Sequence, residues 1–340
     1  MYSLVYFIRR SLFIVLALVS ITTNAQKGRF SYTDQKMGSP FNIIFFTQDS
    51  SFANQQAKAC FKLVDSLNHI FSNYDATSEL SIMNQNAGLR PTTVSTLMWE
   101  LLLASKQAYL KSKGSFNISL GPLTLLWRNA RHSKQFPSKQ QIQSNLLLCQ
   151  FNTIQFNEHE QSIYLPKKGM QLDFGGIAKG YIAQKVIDFL KTKGVHEALV
   201  EAGGDISIGD APPTKLGWVV GVNEPEQAEQ LLQKKLQLHN LSVATSGDVY
   251  QFIEHNGLKY SHILNPATGL GVTTLRNVTV IAQDGAIADW LATACSILPI
   301  QEAKKLAQSQ KAELLITEMV HDELKYFTTK GFNRFWYNKN

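Results

Sequence analysis

Three cysteines in 340 residues, at positions 60, 149 and 295, are too few and too far apart to build a disulfide framework or a paired metal-ligand motif. Cys60 and Cys295 fall on apolar helix faces, where a thiol acts as a small hydrophobe. Excess charge is also scarce. The formal +7 falls to +5 without Arg9 and Arg10, and the lysines are scattered rather than clustered. That gives a nucleic-acid-binding reading little support, although a modest positive balance suits an anionic ligand. Repeats, low-complexity tracts and composition shifts are missing, so nothing marks an internal domain border. Beyond residue 25 no apolar run is long enough to cross a bilayer.

The N-terminus is different. Arg9 and Arg10 precede the apolar run Ser11 to Val19, and Thr23-Asn24-Ala25 places small residues where a signal peptidase would cut. Residues 1–25 are therefore expected to be an export signal, and residues 26–340 one domain. An uncleaved anchor is the alternative, because Ile21 continues the apolar run. No cysteine stands at the cut site to carry a lipid.

Periodicity along the rest predicts an α+β (mixed α/β) fold. Strands are expected at Phe41 to Thr47, Thr153 to Phe156, Ser162 to Leu165, Met170 to Phe174, Ala198 to Glu201, Trp218 to Val222, Leu241 to Ala244, Val278 to Ala282, Glu313 to Thr317 and Lys325 to Thr328. Helices are expected at Ser51 to Ser72, Ser95 to Lys113, Ala286 to Ile297 and Ile300 to Ser309.

Leu172-Asp-Phe-Gly-Gly-Ile-Ala-Lys-Gly-Tyr181 is the most informative stretch. Gly175 and Gly176 permit a sharp turn and close approach of backbone to a ligand. A helix of about 16 residues follows, with Ala178, Ile182, Val186, Phe189 and Leu190 on its apolar face and Gly194 at its end. Its first turn offers unpaired N–H groups and Lys179 adds a full positive charge, a combination that holds phosphate. An ordinary strand-turn-helix junction would use the same residues.

Other polar clusters recur. Ala202-Gly-Gly-Asp-Ile206 and Ala244-Thr-Ser-Gly-Asp248 each end an apolar strand with a turn and an aspartate. Tyr260-Ser-His-Ile-Leu-Asn-Pro-Ala-Thr-Gly269 adds a histidine, and Asp289 and Thr293 share one helix face, where their oxygens suit a hard cation. Singly, each is also a common turn former or a satisfied polar group.

Taken in order, these motifs resemble the ApbE family, the FAD:protein FMN transferases. The resemblance runs from Met37-Gly-Ser39 through Phe71 to Ser81, Gly114 to Leu123 with Leu126-Trp127, Leu172 to Tyr181, Ala202 to Ile206, Ala244 to Asp248 and Tyr260 to Gly269, ending at Ala288-Asp-Trp-Leu-Ala-Thr-Ala294. It implies an ApbE-like fold of two intimately packed α/β subdomains with mixed or antiparallel sheets. It also implies Mg²⁺-dependent transfer of FMN from FAD to a threonine or serine hydroxyl of an acceptor protein, with AMP released.

Carried over by position, Met37, Tyr74, Ser115, Phe116 and Asn117 would line the flavin nucleotide site, and Asp173, Lys179 and the main chain around Ile263 would contact FAD. The Gly176 carbonyl, Asp289 and Thr293 would hold the metal, and His262 would activate or orient the incoming hydroxyl. Asp205 and Asp248 are left open between a second metal, the acceptor hydroxyl and simple turn-pinning. Asn117, Ser119 and Asn265 depart from the family's more frequent aspartate, threonine and aspartate.

A Mg²⁺-dependent FAD pyrophosphatase giving FMN and AMP is the competing enzyme, and an exported flavin carrier without chemistry is a third reading. Export implies an extracytoplasmic acceptor, and a place in the periplasm or at the outer face of the cytoplasmic membrane.

Overall fold

The computed structural model describes residues 26–224, 227–232, 234–247, 251–321 and 323–338. The expected export signal and Asp248 lie outside them. Eight strands form one sheet: β1 (Gly28–Lys36), β2 (Ser39–Thr47), β3 (Ala198–Ala202), β4 (Asp205–Ile208), β5 (Ser242–Ser246), β6 (Arg276–Ala282), β7 (Glu313–Val320) and β8 (Glu323–Thr328). They lie side by side in chain order, each pair antiparallel. The mixed α/β class with antiparallel sheets expected from the sequence is what the chain adopts.

The side-chain period of two assigns each residue to a face. Phe41, Ile43, Phe45, Val200, Ala202, Val278, Val280, Leu314 and Ile316 point to one side, into the main core. Leu199, Ile208, Val243, Ile281 and Leu315 point to the other, against Trp218, Val220, Leu236, Leu238 and Phe332.

The helices fill two long excursions. Between β2 and β3 come α1 (Ser50–Phe71), α2 (Glu79–Gln85), α3 (Thr96–Lys111), α4 (Gly121–Ser133), α5 (Lys139–Leu146) and α6 (Ala178–Thr192). Between β6 and β7 come α7 (Gly285–Ile297) and α8 (Ile300–Ser309). Asp49 caps α1 by accepting from the N–H groups of Ser51 and Phe52, and Cys60, Val64, Leu67 and Phe71 form its buried stripe as the spacing predicts. All three cysteines are free and buried, and burial pushes their thiols up to about 12. No helix among the described residues is long and apolar enough to cross a membrane.

Two expected strands differ. Thr153 to Phe156 divides into a short 3₁₀ turn, Phe151–Thr153, and a strand, Gln155–Asn157. Met170 to Phe174 is extended but joins no sheet. Its backbone is paired another way: the Asn84 amide accepts from Leu172 N–H at 2.7 Å and donates to Leu172 C=O at 3.0 Å, and Asp173 N–H donates to Ile118 C=O at 2.8 Å. One side-chain amide thus does what a neighbouring strand would do. The strands β1 and β4 and the helices α2, α4 and α5 went unread in the sequence; β1 buries no residue fully and α5 only Ile142.

The closest packing is between α6 and α7. A Cβ at Gly180 would run into the Gly285 carbonyl and stand 2.8 Å from the Asp289 Cβ, and a Cβ at Gly285 would meet the Gly180 carbonyl. We expect Gly180→Ala to force the helices apart and lower stability by about 1–3 kcal/mol. Chemical denaturation followed by circular dichroism measures this, and an unshifted midpoint would show that the contact has room to spare.

Candidate active site

Helix α6 begins without a side-chain cap on Ile177. Its first turn is satisfied from α7 instead, where the Asp289 carboxylate accepts from Gly180 N–H at 3.1 Å. The preceding glycines are there for proximity. Neither Gly175 nor Gly176 has positive φ, but a Cβ on Gly176 would lie 2.8 Å from Thr293 Oγ1 and 3.1 Å from its Cγ2. Gly175 N–H donates to Asp173 Oδ1 at 2.7 Å, closing the turn. Gly176, Asp289 and Thr293 therefore meet where α6 starts.

Asp205 joins them. Gly203 and Gly204, at φ of 60° and 102°, turn the chain from β3 into β4 and set Asp205 opposite Ala202. Both Asp205 and Asp289 are buried, and their carboxyls share a hydrogen bond. Burial first, and then the neighbouring Asp289 charge, raises Asp205 well above the carboxylate range; burial pushes Asp289 up to about 6 against the pull of Gly180 N–H and Lys179. Two buried carboxyls in contact must share either a proton or a cation.

That pairing, with the Thr293 hydroxyl and the Gly176 backbone, forms an all-oxygen donor set that fits a hard divalent ion. Among the described residues no group of three or more His, Cys, Asp or Glu side chains gathers to hold a metal, so the donor set here rests on two carboxyls, a hydroxyl and backbone.

Lys179 reaches across the turn, its Nζ 3.0 Å from where a Gly203 Cβ would stand, beside Ser39. Ser39 Oγ is buried with no hydrogen-bond partner in the protein, so a polar ligand group is what would satisfy it. Met37 and Gly38, both at positive φ, form the β1–β2 turn at this same end of the sheet.

Asp173 sits on the other flank of the turn. Its Oδ2 accepts from Asn73 Nδ2 at 2.6 Å, and Asn73 Oδ1 accepts from Arg128 Nη2 at 3.2 Å. Burial raises its pKa, opposed by Gly175 N–H and Arg128. The Arg128 guanidinium lies 3.9 Å from the Tyr74 ring centroid. Nearby, Ser115 is half-buried, whereas Phe116 packs in the core against Trp290. Asn117 is committed locally, accepting from Ser119 N–H and Ser119 Oγ at 2.8 and 2.7 Å. Where the family more often has aspartate, this amide acts as a cap.

His262 lies one residue beyond the strand Leu258–Ser261, and its N–H donates to Gln251 C=O at 2.8 Å. Crowding by protein, then the cations of Arg131 and Lys179, pull its pKa down to about 4. As a residue, His262 is nevertheless exposed. Ile263 is less available than expected: its N–H goes to Ser261 Oγ and its C=O accepts from Val272. The His262 loop is tied to α4 by Trp127 Nε1, which donates to Gly269 C=O at 2.8 Å. A separate cavity of about 530 Å³, lined by residues such as Tyr260, Asn265, Arg276 and Ser296, contains none of these groups.

Sequence reasoning missed Asn73, Arg128, Arg131 and Ser39. The Arg128–Arg131 spacing of three on a helix directly after Leu126-Trp127 was the available signal.

A model of the ApbE family matches residues 37–316. The chain is 32% identical over 262 residues to the FAD:protein FMN transferase of Klebsiella pneumoniae (strain 342), covering 76% of this chain and 79% of that one. Among solved structures it resembles the ApbE protein of Thermotoga maritima, with a TM-score of 0.83 and 25% identity over 92% of this chain and 100% of that one. It also resembles the Pseudomonas stutzeri flavinyl transferase ApbE in its apo form, with a TM-score of 0.80 and 26% identity over 92% and 98% of the two chains. With four-fifths of its length matched by the family model and a relative above 30% identity across most of both chains, the chain is a member of the ApbE family.

Proposed function

We propose that this protein is a Mg²⁺-dependent FAD:protein FMN transferase, moving FMN from FAD to a threonine or serine hydroxyl of an extracytoplasmic acceptor and releasing AMP. The observation that carries this reading is the convergence of Gly176, Thr293, Asp289 and Asp205 on the N-terminus of α6, with Lys179 alongside and His262 opening to solvent. Relatives named FAD:protein FMN transferases support the flavin and the transfer.

Asp289, Thr293 and the Gly176 carbonyl would hold the metal, with Asp205 beside them. Bound there, Mg²⁺ would supply hard positive charge for the diphosphate oxygens. Lys179, beside the unpartnered Ser39 Oγ, would bind the same oxygens and stabilise the charge that grows on the departing AMP phosphate. Tyr74 offers its face to the flavin ring, and Asp173 fixes the glycine turn beneath. The acceptor hydroxyl approaches His262, whose neutral ring takes its proton as the new phosphorus–oxygen bond forms and the bond to AMP breaks. The expected export segment would deliver the protein to the periplasm or the outer face of the cytoplasmic membrane.

Burial first, and then the charges of Arg131 and Lys179, make His262 a weak base. A diphosphate brings negative charge to the same place and offsets the two cations, so the pKa should rise from about 4, while the share due to burial remains. Substrate thereby strengthens the base it needs.

Incubation with FAD, Mg²⁺ and a candidate acceptor, read by mass spectrometry, should add the mass of FMN to the acceptor and release AMP. Free FMN with an unmodified acceptor would identify a pyrophosphatase instead. His262→Ala should slow transfer by about 10²–10⁴-fold while leaving FAD affinity near wild type; full activity would remove His262 from the mechanism. Titration of the His262 ring by NMR should show a higher pKa with ADP than without it. An unchanged value would mean that the diphosphate does not come near this ring.

A further inference from the structure

Tyr74 is 80% exposed. A ring so open ordinarily samples several rotamers, and ordering it on binding costs entropy. Here one face is covered, with the Arg128 guanidinium 3.9 Å from the ring centroid. That planar cation is not itself loose. Its Nη2 donates to Asn73 Oδ1 at 3.2 Å, Asn73 Nδ2 donates to Asp173 Oδ2 at 2.6 Å, and Asp173 Oδ1 accepts from Gly175 N–H at 2.7 Å. The chain of contacts runs from an exposed aromatic ring to the glycine turn at the start of α6.

The base of Arg128 is anchored as well. It follows Trp127, a fully buried ring whose Nε1 donates to Gly269 C=O at 2.8 Å and which packs against Phe136 and Tyr260. The Arg128 backbone therefore belongs to a rigid cluster, while its side chain crosses to Tyr74. Asn73 and Tyr74 are adjacent in the chain, so Arg128 grips both neighbours at once: one through its plane and one through its edge. A lysine could place a charge over the ring, but it has no planar face to stack and no fork to hold Asn73 at the same time.

We propose that Arg128 is a positioning residue that holds Tyr74 as a fixed platform, leaving the opposite ring face free to stack on the flavin of the substrate. This rests on the reading that FAD is bound here. Its consequence is selective: Arg128 should matter for ligands that carry a flavin ring and not for those that end at the diphosphate.

The test compares FAD with ADP, which has the diphosphate and adenosine but no flavin. Binding to the full protein with Mg²⁺ is measured by calorimetry for the wild type, Arg128→Ala, Arg128→Lys, Tyr74→Ala and the Tyr74→Ala/Arg128→Ala double variant. Arg128→Ala should weaken FAD about three- to ten-fold, the cost of ordering one side chain, with ADP changed less than about two-fold. Arg128→Lys should recover part of the loss and stands in if the alanine variant folds poorly. In the Tyr74→Ala background, removing Arg128 should cost nothing further for FAD.

Equal weakening of FAD and ADP would overturn the inference, since it would mark a general structural role, as would full additivity of the two substitutions. Wild-type protein that binds ADP but gains nothing from the flavin would overturn the inference alone. Failure to bind either nucleotide would remove the proposed function and this inference with it.

Discussion

Everything chemical in this molecule depends on how closely α6 approaches α7. The two helices meet through Gly180 and Gly285, where neither tolerates a Cβ, and through Gly176, which lies against Thr293. Only at that separation does the Asp289 carboxylate, carried by one helix, reach Gly180 N–H at the open end of the other. The cap and the candidate metal ligand are therefore one side chain. Moving the helices apart would remove a helix cap, uncouple Asp289 from Asp205 and carry Thr293 away from the glycine turn.

The helix pair is in turn located by the sheet. Helices α6 and α7 rest on the face formed by Val200, Ala202, Ala244, Val278 and Val280, and the β3–β4 turn ends where α6 begins. Ala202 points into the core and its partner Asp205 stands at the hairpin end, so the strand period that builds the core also aims a carboxylate at α7. The second core, on the opposite face around Trp218, Leu236 and Phe332, contributes none of the site residues.

Much of this was legible in the sequence, because the informative residues are local patterns. Asp289 and Thr293 are four apart, so a helix puts them on one face whatever surrounds it. The glycines at 175 and 176 mark a turn and a close approach, and the structure adds what is approached: Thr293 beside Gly176 and the Asp173 carboxylate beside Gly175. Interactions that join distant parts of the chain were not legible. The segment Met170 to Phe174 looks like a strand because it is apolar and extended, and only the amide of Asn84, 88 residues away from Leu172, shows why it needs no sheet. The Asp205–Asp289 contact was hidden for the same reason. Arg128 belongs with them, since nothing in a helical sequence says that a guanidinium will lie on an aromatic ring contributed by a loop.

The site also sets opposing electrostatic requirements against each other. Cations are needed where a diphosphate will lie, and Lys179 and Arg131 stand near His262. The same cations depress the histidine, which as a proton acceptor is best with a pKa near the working pH. On the other side, burial raises the pKa of both Asp205 and Asp289, and the neighbouring charge of Asp289 raises Asp205 further, a cost that a cation between them would relieve. Each half is poorly balanced by itself: positive groups weaken a base, and two buried carboxyls lie against each other. On the proposed function, a metal and a diphosphate bound together would correct both, because the cation would go to the carboxyls and the anion to Lys179 and Arg131. On that reading the site would be electrostatically satisfied only by the metal–dinucleotide complex, since neither component alone would relieve both halves.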